Sequence, residues 1–312
     1  MAESTAVHVQ VGDRQLRVTN LDKVLYPMAG FTKADVLRYY VEVAPTMLAH
    51  LGHRCVTLVR FPNGVGEQSF FEKRCPSHRP DWIETALGPG GRGEGIRYCE
   101  FNSVAAVVWA ANLAALELHT PMSRSHDMDA ALIAVFDLDP GERAGMTECC
   151  RVAVEIHDVL ELLGLQSFAK TSGSKGLQVY VPLNASHTFE HTSQFALAIA
   201  KLVKQQLPEL VVTEMAKAVR VGKVFIDWSQ NSRHKTTVCA YSLRAKDYPE
   251  VSTPLIWEEV HAGAEGLPLG FDPEDVLGRI SAHGDLFAPV AELVQHLPSA
   301  PSDTEPSETG PR

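Results

Sequence analysis

The chain has 312 residues, 45% of them hydrophobic and 21% charged, with a formal net charge of -10. That length holds one large domain or two modest ones with ample core, and the composition excludes a disordered or fibrous chain. No apolar stretch approaches the roughly 20 residues that span a bilayer, and the N-terminus MAESTAVHVQVGDRQ lacks the basic-then-apolar order of a signal peptide, so a cytoplasmic protein with no membrane partner is expected.

Thr32 and Asp35 have the spacing of a capping box, and Val36, Tyr40, Val43 and Met47 recur at helical spacing, which predicts a helix over 33–50. The six cysteines (55, 75, 99, 149, 150 and 239) contain no CxxC pair, so neither a zinc ribbon nor a disulfide framework is expected, and Cys75-x-x-His78 is half of a metal pattern without its second half. LGPGGRGEGIR, 87–97, reads as a hairpin tip. Ala131–Leu138 reads as a strand, and 147–163 as a helix stopped by Gly164. Residues 166–170 and 177–183 read as strands around TSGSKG. A helix follows over 190–207, ended by Pro208, then a strand over 224–228. In 217–246 seven Lys and Arg face one acid, Asp227, which predicts a basic functional groove. Residues 247–312 hold 13 Asp and Glu against 2 Lys and Arg, so the net acidity lies in the last fifth of the chain. The tail from 297, LPSAPSDTEPSETGPR, has the composition of a disordered segment.

From residue 131 the order is β-α-β-β-α-β, the split-βαβ arrangement of ferredoxin-like and RNA-recognition-motif folds within an α+β class. In that topology the first and third strands are central, the fourth lies beside the first, and the helices cover one sheet face. Alternation along the first strand points Asp137 and Asp139 to one face, and Asp227 on the fourth strand joins them. Three converging carboxylates repel unless a cation neutralises them, and oxygen-only ligands suit Mg²⁺ or Mn²⁺. Two such ions are the usual device for in-line phosphoryl or nucleotidyl transfer. In KTSGSKGLQVYV, 170–181, successive backbone N–H groups form an anion nest to which Ser172, Ser174 and Lys175 add donors and charge. It is not a Walker A loop, because it leads into a strand. Metal and triphosphate sites would then adjoin.

FDLDPGE, TSGSKGL, FIDWSQN and YSLRA closely resemble the polymerase domain of the bacterial non-homologous end-joining DNA ligase, of the archaeo-eukaryotic primase superfamily. TNLDKVLYP, RFPNGV and FFEK extend the likeness upstream. The resemblance implies a primase-like fold in one catalytic domain over 1–296: an N-terminal α/β portion to about 125, a core at about 126–245, and an acidic portion at about 246–296. It implies a template-directed, metal-dependent polymerase that fills short gaps and end-joining breaks, often favouring ribonucleotides. Asp137, Asp139 and Asp227 would bind two Mn²⁺ or Mg²⁺ ions, and Ser172, Ser174, Lys175, Gly176 and Arg244 the NTP or dNTP. His119 in LELHTP matches a nucleotide-contacting histidine. Asn20, Lys23 and Lys33 match a 5′-phosphate pocket, and Phe70 and Phe71 aromatics that stack on template bases. Arg60, Arg220, Gln230 and Lys235 are further candidate DNA contacts. Implied partners are DNA with gaps or broken ends bearing a 5′-phosphate, Ku and a separate DNA ligase, with nucleoid association when on DNA. Two departures stand out. Gln178 replaces the histidine of the family's KGLH, on a strand face where contact with bound nucleotide is expected, and no ligase or nuclease sequence follows, so the expectation is a polymerase that acts alone or by recruitment, or a domain whose Pro/Ser tail is a linker to further sequence.

Two other readings compete. Haloacid-dehalogenase-type phosphatases also carry DxD after an apolar strand, though in a parallel doubly wound sheet and with Thr or Val where Pro140 stands. A DNA-end-binding scaffold without turnover would keep the basic groove but need no acidic triad.

Overall fold

In the computed structural model, which describes residues 6–90, 94–185 and 187–298, the chain opens with an antiparallel ribbon, β1 (Ala6–Val11) and β2 (Arg14–Thr19). A short hairpin follows, β3 (Val24–Tyr26) and β4 (Phe31–Thr32). Helix α1 (Lys33–Leu51) starts where the spacing predicts: Thr32 N–H donates to Asp35 Oδ2 and Asp35 N–H to Thr32 Oγ1, which satisfies two orphan donors. Its apolar stripe, Val36, Tyr40, Val43 and Met47, is fully buried. Next come β5 (Thr57–Arg60), β6 (Phe70–Glu72), β7 (Thr85–Gly88), β8 (Ile96–Cys99), α2 (Val104–Asn112) and β9 (Ala115–Thr120). β7 and β8 form the expected glycine-rich hairpin, whose tip, 91–93, lies outside the described residues.

The cysteine reading needs correction. Cys75 and Cys99 form a disulfide, while Cys55, Cys149, Cys150 and Cys239 are free and buried. The pair is 24 residues apart in sequence and meets because the loop after β6 folds back on β8, with Cys75 N–H on Arg97 C=O. Cys75 is thereby unavailable to the half metal pattern.

The predicted β-α-β-β-α-β order is present as β10 (Ile133–Pro140), α3 (Met146–Leu162), β11 (Phe168–Thr171), β12 (Leu177–Pro182), α4 (Phe189–Gln206) and, after a short β13 (Val211–Val212), β14 (Val224–Asp227). β10 starts and ends two residues later than expected, because Asp139 and Pro140 still pair with Phe225 and Val224. β15 (Thr237–Val238) then joins β9, so the N-terminal sheet runs β15-β9-β5-β6. The C-terminal portion holds β16 (Leu243–Ala245), β17 (Pro249–Val251), β18 (Pro254–Leu255), α5 (Trp257–Ala264), α6 (Pro273–His283) and α7 (Ala288–Glu292). The six-stranded sheet has the order β13-β14-β10-β12-β11-β18, so β10 and β12 are central and β14 lies beside β10.

Alternation divides that sheet between two cores. Phe136, Leu138, Val179, Val181, Val224 and Ile226 pack with α3 and α4, whereas Val135 and Tyr180 face the core built on α1, α2 and β9. Leu297 is buried in the helical core, and the rest of the predicted tail, from 299, lies outside the described residues.

Candidate active site

On the sheet face away from α3 and α4, Asp137 sits directly opposite Asp227 in the β10–β14 register, and Asp139 lies two residues along. Burial first, then Asp139 and Asp227, push the Asp137 carboxyl up to about 6, and burial and Asp227 raise Asp139. Asp227 is already partnered: Ser229 Oγ donates to Oδ1 at 2.5 Å, and Lys235 Nζ reaches Oδ2 at 3.3 Å. Among the described residues no three acidic, imidazole or thiol groups close on one point, so the convergence of three carboxylates expected from strand alternation is not reached. The donor set still suits a divalent cation: three hard oxygen ligands, a carboxyl raised by burial and by its acidic neighbours, and one half-exposed ammonium that a dication would displace.

The Ser172–Gly176 turn abuts these acids. Ser172 N–H donates to Gly176 C=O, and Gly176 N–H to Ser172 Oγ at 3.2 Å. Gly173 has φ +62°, and a Cβ on Gly176 would lie 2.3 Å from Leu138 C=O, so glycine is needed for the loop to press against β10. Ser172, Ser174, Lys175 and Gly176 line one side of a cavity of about 430 Å³ that also reaches Asp137 and Asp139. His119, Gln178, Arg220, Gln230 and Arg244 border it as well. Arg220 stacks 3.7 Å from the Phe225 ring, and its buried Nε has no hydrogen-bond partner.

Two residues missed by sequence reasoning hold the others in place. Glu117 accepts from His119 Nε2 at 2.8 Å and from Ala245 N–H at 3.0 Å, with Arg244 Nε 3.2 Å away. Burial favours its protonated form, but these partners hold it at about 2. Burial in turn keeps His119 neutral, so it donates through Nε2 and retains Nδ1 as an acceptor. Lys170, fully buried, donates to Gln178 Oε1 at 2.6 Å and Ser252 Oγ at 2.7 Å, and Gln178 Nε2 donates to Asp137 Oδ1 at 3.0 Å. The available signal was a lone charge inside the apolar strands ALELHT and FAKT; alternation already puts Glu117 on the face of His119.

Phe70 and Phe71 are 44% and 59% exposed, enough to stack on bases, and the Phe71 ring lies edge-on to His119 at 6.4 Å. Gln230 is held by Thr236 C=O. Arg60 is tied to Glu72 and Leu113 C=O and does not reach the cavity. Asn20, Lys23 and Lys33 form a separate cluster: Lys33 Nζ donates to Thr19 C=O and Lys23 Nζ to Asn63 Oδ1, both neutral acceptors. Burial, then the nearby Lys23, lowers Lys33 to about 8.

Residues 32–287 match the family model of the LigD primase-polymerase domain. The chain belongs to that family. It is a nucleotidyltransferase domain of the primase-polymerase type, a class that uses divalent metal and nucleoside triphosphate. The multifunctional non-homologous end joining protein LigD of Mycolicibacterium smegmatis is 44% identical over 278 residues, 88% of this chain and 36% of that protein. The bifunctional LigD of Bacillus subtilis is 35% identical over 274 residues, 88% of this chain and 44% of that protein. The chain thus spans less than half the length of these curated relatives. The polymerase domain of Mycobacterium tuberculosis Ligase D, solved in complex with DNA, superposes with a TM-score of 0.83 at 38% identity, covering 90% of this chain and 99% of that one. The LigD polymerase fold, the archaeo-eukaryotic primase-like class expected from the motifs, is therefore the fold of this chain. Asn20 and Lys23 precede the span of the family model, which starts at residue 32.

Proposed function

We propose that this LigD primase-polymerase domain extends a primer 3′-end by templated nucleotidyl transfer at short gaps and end-joining breaks, acting as one catalytic domain over 1–296. The observation that carries the reading is Asp137 opposite Asp227, with Asp139 beside them and the Ser172–Gly176 anion loop on the same cavity. Asp137, Asp139 and Asp227 would hold two Mn²⁺ or Mg²⁺ ions, which when bound supply Lewis-acid activation of the primer hydroxyl and charge neutralisation at the triphosphate. The chain's own groups do the rest. Ser172, Ser174, Lys175, the N–H groups of residues 173–175 and Arg244 orient the triphosphate, and Arg220, on the border of the same cavity, adds positive charge. Phe70 and Phe71 offer ring faces to template bases. Neutral His119, with Nδ1 as an acceptor, suits a sugar hydroxyl, which supports a preference for ribonucleotides. Lys23 and Lys33 would receive the 5′-phosphate across the gap.

The partners proposed are gapped or broken DNA, Ku and a separate ligase, in the cytoplasm at the nucleoid. The phosphatase reading fails on topology: both neighbours of β10 are antiparallel to it, not members of a parallel doubly wound sheet. Primer extension on gapped duplexes, with and without a 5′-phosphate and with each nucleotide type, tests the proposal. Faster ribonucleotide addition and tighter binding to phosphorylated gaps, by about 1–3 kcal/mol, are expected. Binding to DNA ends without extension would instead support a scaffold.

A further inference from the structure

One rung of the six-stranded sheet carries polar side chains across four strands. Lys170 on β11 pairs with Gln178 on β12, Gln178 with Asp137 on β10, and Asp137 with Asp227 on β14. Lys170 has no exposed surface, burial lowers it to about 7, and its Nζ donates to Gln178 Oε1 at 2.6 Å and to Ser252 Oγ at 2.7 Å. Ser252 Oγ is itself fixed, donating to Thr171 C=O, and Tyr180 Oη adds a long contact to Gln178 Oε1. These two bonds favour one orientation of the Gln178 amide: turned over, it would set its NH₂ against the Lys170 donor and its carbonyl oxygen against the Asp137 carboxylate.

We infer that Lys170 is a positioning residue for nucleotidyl transfer, acting through the Gln178 amide to fix the Asp137 carboxylate for metal binding. The inference rests on the reading of Asp137 as a metal ligand. With Gln178 Nε2 on Oδ1, one lone pair of Asp137 is spent and the carboxylate plane is set, so its remaining lone pairs are presented on the cavity side. Outer partners of metal ligands typically carry about 10–100-fold in metal affinity. The sign of the effect separates this role from simple electrostatics, because a nearby ammonium repels a dication and its removal alone would tighten cation binding. Loss of positioning weakens it.

The test measures Mn²⁺ binding to the full chain by electron paramagnetic resonance without nucleotide, beside single-nucleotide incorporation across metal concentrations. Lys170→Met and Gln178→Leu should each weaken Mn²⁺ binding about 10-fold. The double variant should be no weaker than the worse single, since both act on one contact. For Lys170→Met at saturating Mn²⁺ the nucleotide KM should stay unchanged. If Lys170→Met does not fold, Lys170→Gln, which keeps a donor without the charge, should still weaken binding several-fold. Equal or tighter Mn²⁺ binding in the folded Lys170 variant, or losses that multiply in the double variant, would overturn the inference. Asp137→Asn keeps the two claims apart: if it binds Mn²⁺ like the parent, the metal reading of Asp137 falls and the inference with it, whereas dependence on Asp137 but not on Lys170 overturns the inference alone.

Discussion

Asp137 carries the sharpest conflict in the molecule, a carboxylate facing a second carboxylate across a ladder with a third two residues away. Its carboxyl is raised to about 6, against about 4 in an unfolded chain, so folding favours its protonated form. The stability it contributes is full below about pH 4 and is lost as pH rises through about 6. Asp137→Asn, neutral throughout, should therefore raise Tm by a few degrees at pH 8, on the order of 1 kcal/mol, and by nothing at pH 4, while lowering nucleotide addition by about 100-fold or more. Thermal scans at both pH values and extension assays check this, and a variant that unfolds at pH 8 contradicts it. Asp139→Ala and Asp227→Ala should lose activity equally with the fold intact. Gln178→His has a different outcome from the one strand alternation suggests. Alternation alone points to a nucleotide contact, and a protonated histidine there would tighten it at low pH. Both ends of the Gln178 amide are taken up, by Lys170 Nζ at 2.6 Å and Asp137 Oδ1 at 3.0 Å, so a histidine there would engage those groups and not the nucleotide, and the ratio of nucleotide KM values between parent and variant should not change from pH 6 to pH 8. The acids and the serines of the loop were legible because their spacing is itself the chemistry. Lys170 and Glu117 were not, since a single charge in a short apolar strand does not say which strand will supply its partner.

The loop between β11 and β12 depends on two glycines, Gly173 for its left-handed turn beside Val251 and Ser252 and Gly176 for its approach to β10. Gly176→Ala would set a methyl 2.3 Å from Leu138 C=O, and backbone cannot yield as a flexible side chain does. A loss of about 1–3 kcal/mol in urea unfolding, with a raised nucleotide KM, is expected. An unchanged KM would detach the loop from the triphosphate. At the start of α1, Lys33 is lowered to about 8 by burial and Lys23, so free protein loses the second cation as pH rises through 8. The extra affinity for a 5′-phosphorylated gap over a hydroxyl-ended one should accordingly shrink between pH 7 and pH 9, and fluorescence anisotropy with the two duplexes measures it. A constant difference would remove Lys33 from that contact. Helices α1, α3 and α4 were readable from caps and apolar periodicity, and β10 was displaced by two residues because ladder pairing with β14, not hydropathy, ends it.

At the scale of the whole molecule, the crevice exists because the sheet buries one face under α3 and α4 and turns the other toward the N-terminal portion. The split-βαβ half was legible, since its six elements follow one another in sequence. The N-terminal sheet was not: β9 recruits β15 from more than a hundred residues away, and the strands are too short to show a period. The Cys75–Cys99 bridge escaped notice for the same reason, its two halves meeting only through tertiary folding. The central claim is that these parts converge on metal-dependent, templated nucleotide addition at the three aspartates. Single-turnover extension of a primer across a one-nucleotide gap, run with each templating base in the presence of Mn²⁺ and again with chelator, tests it most directly. Incorporation should follow the template and vanish with chelator and in Asp137→Ala; metal-independent or template-independent addition, or undiminished addition by well-folded Asp137→Ala, would contradict it.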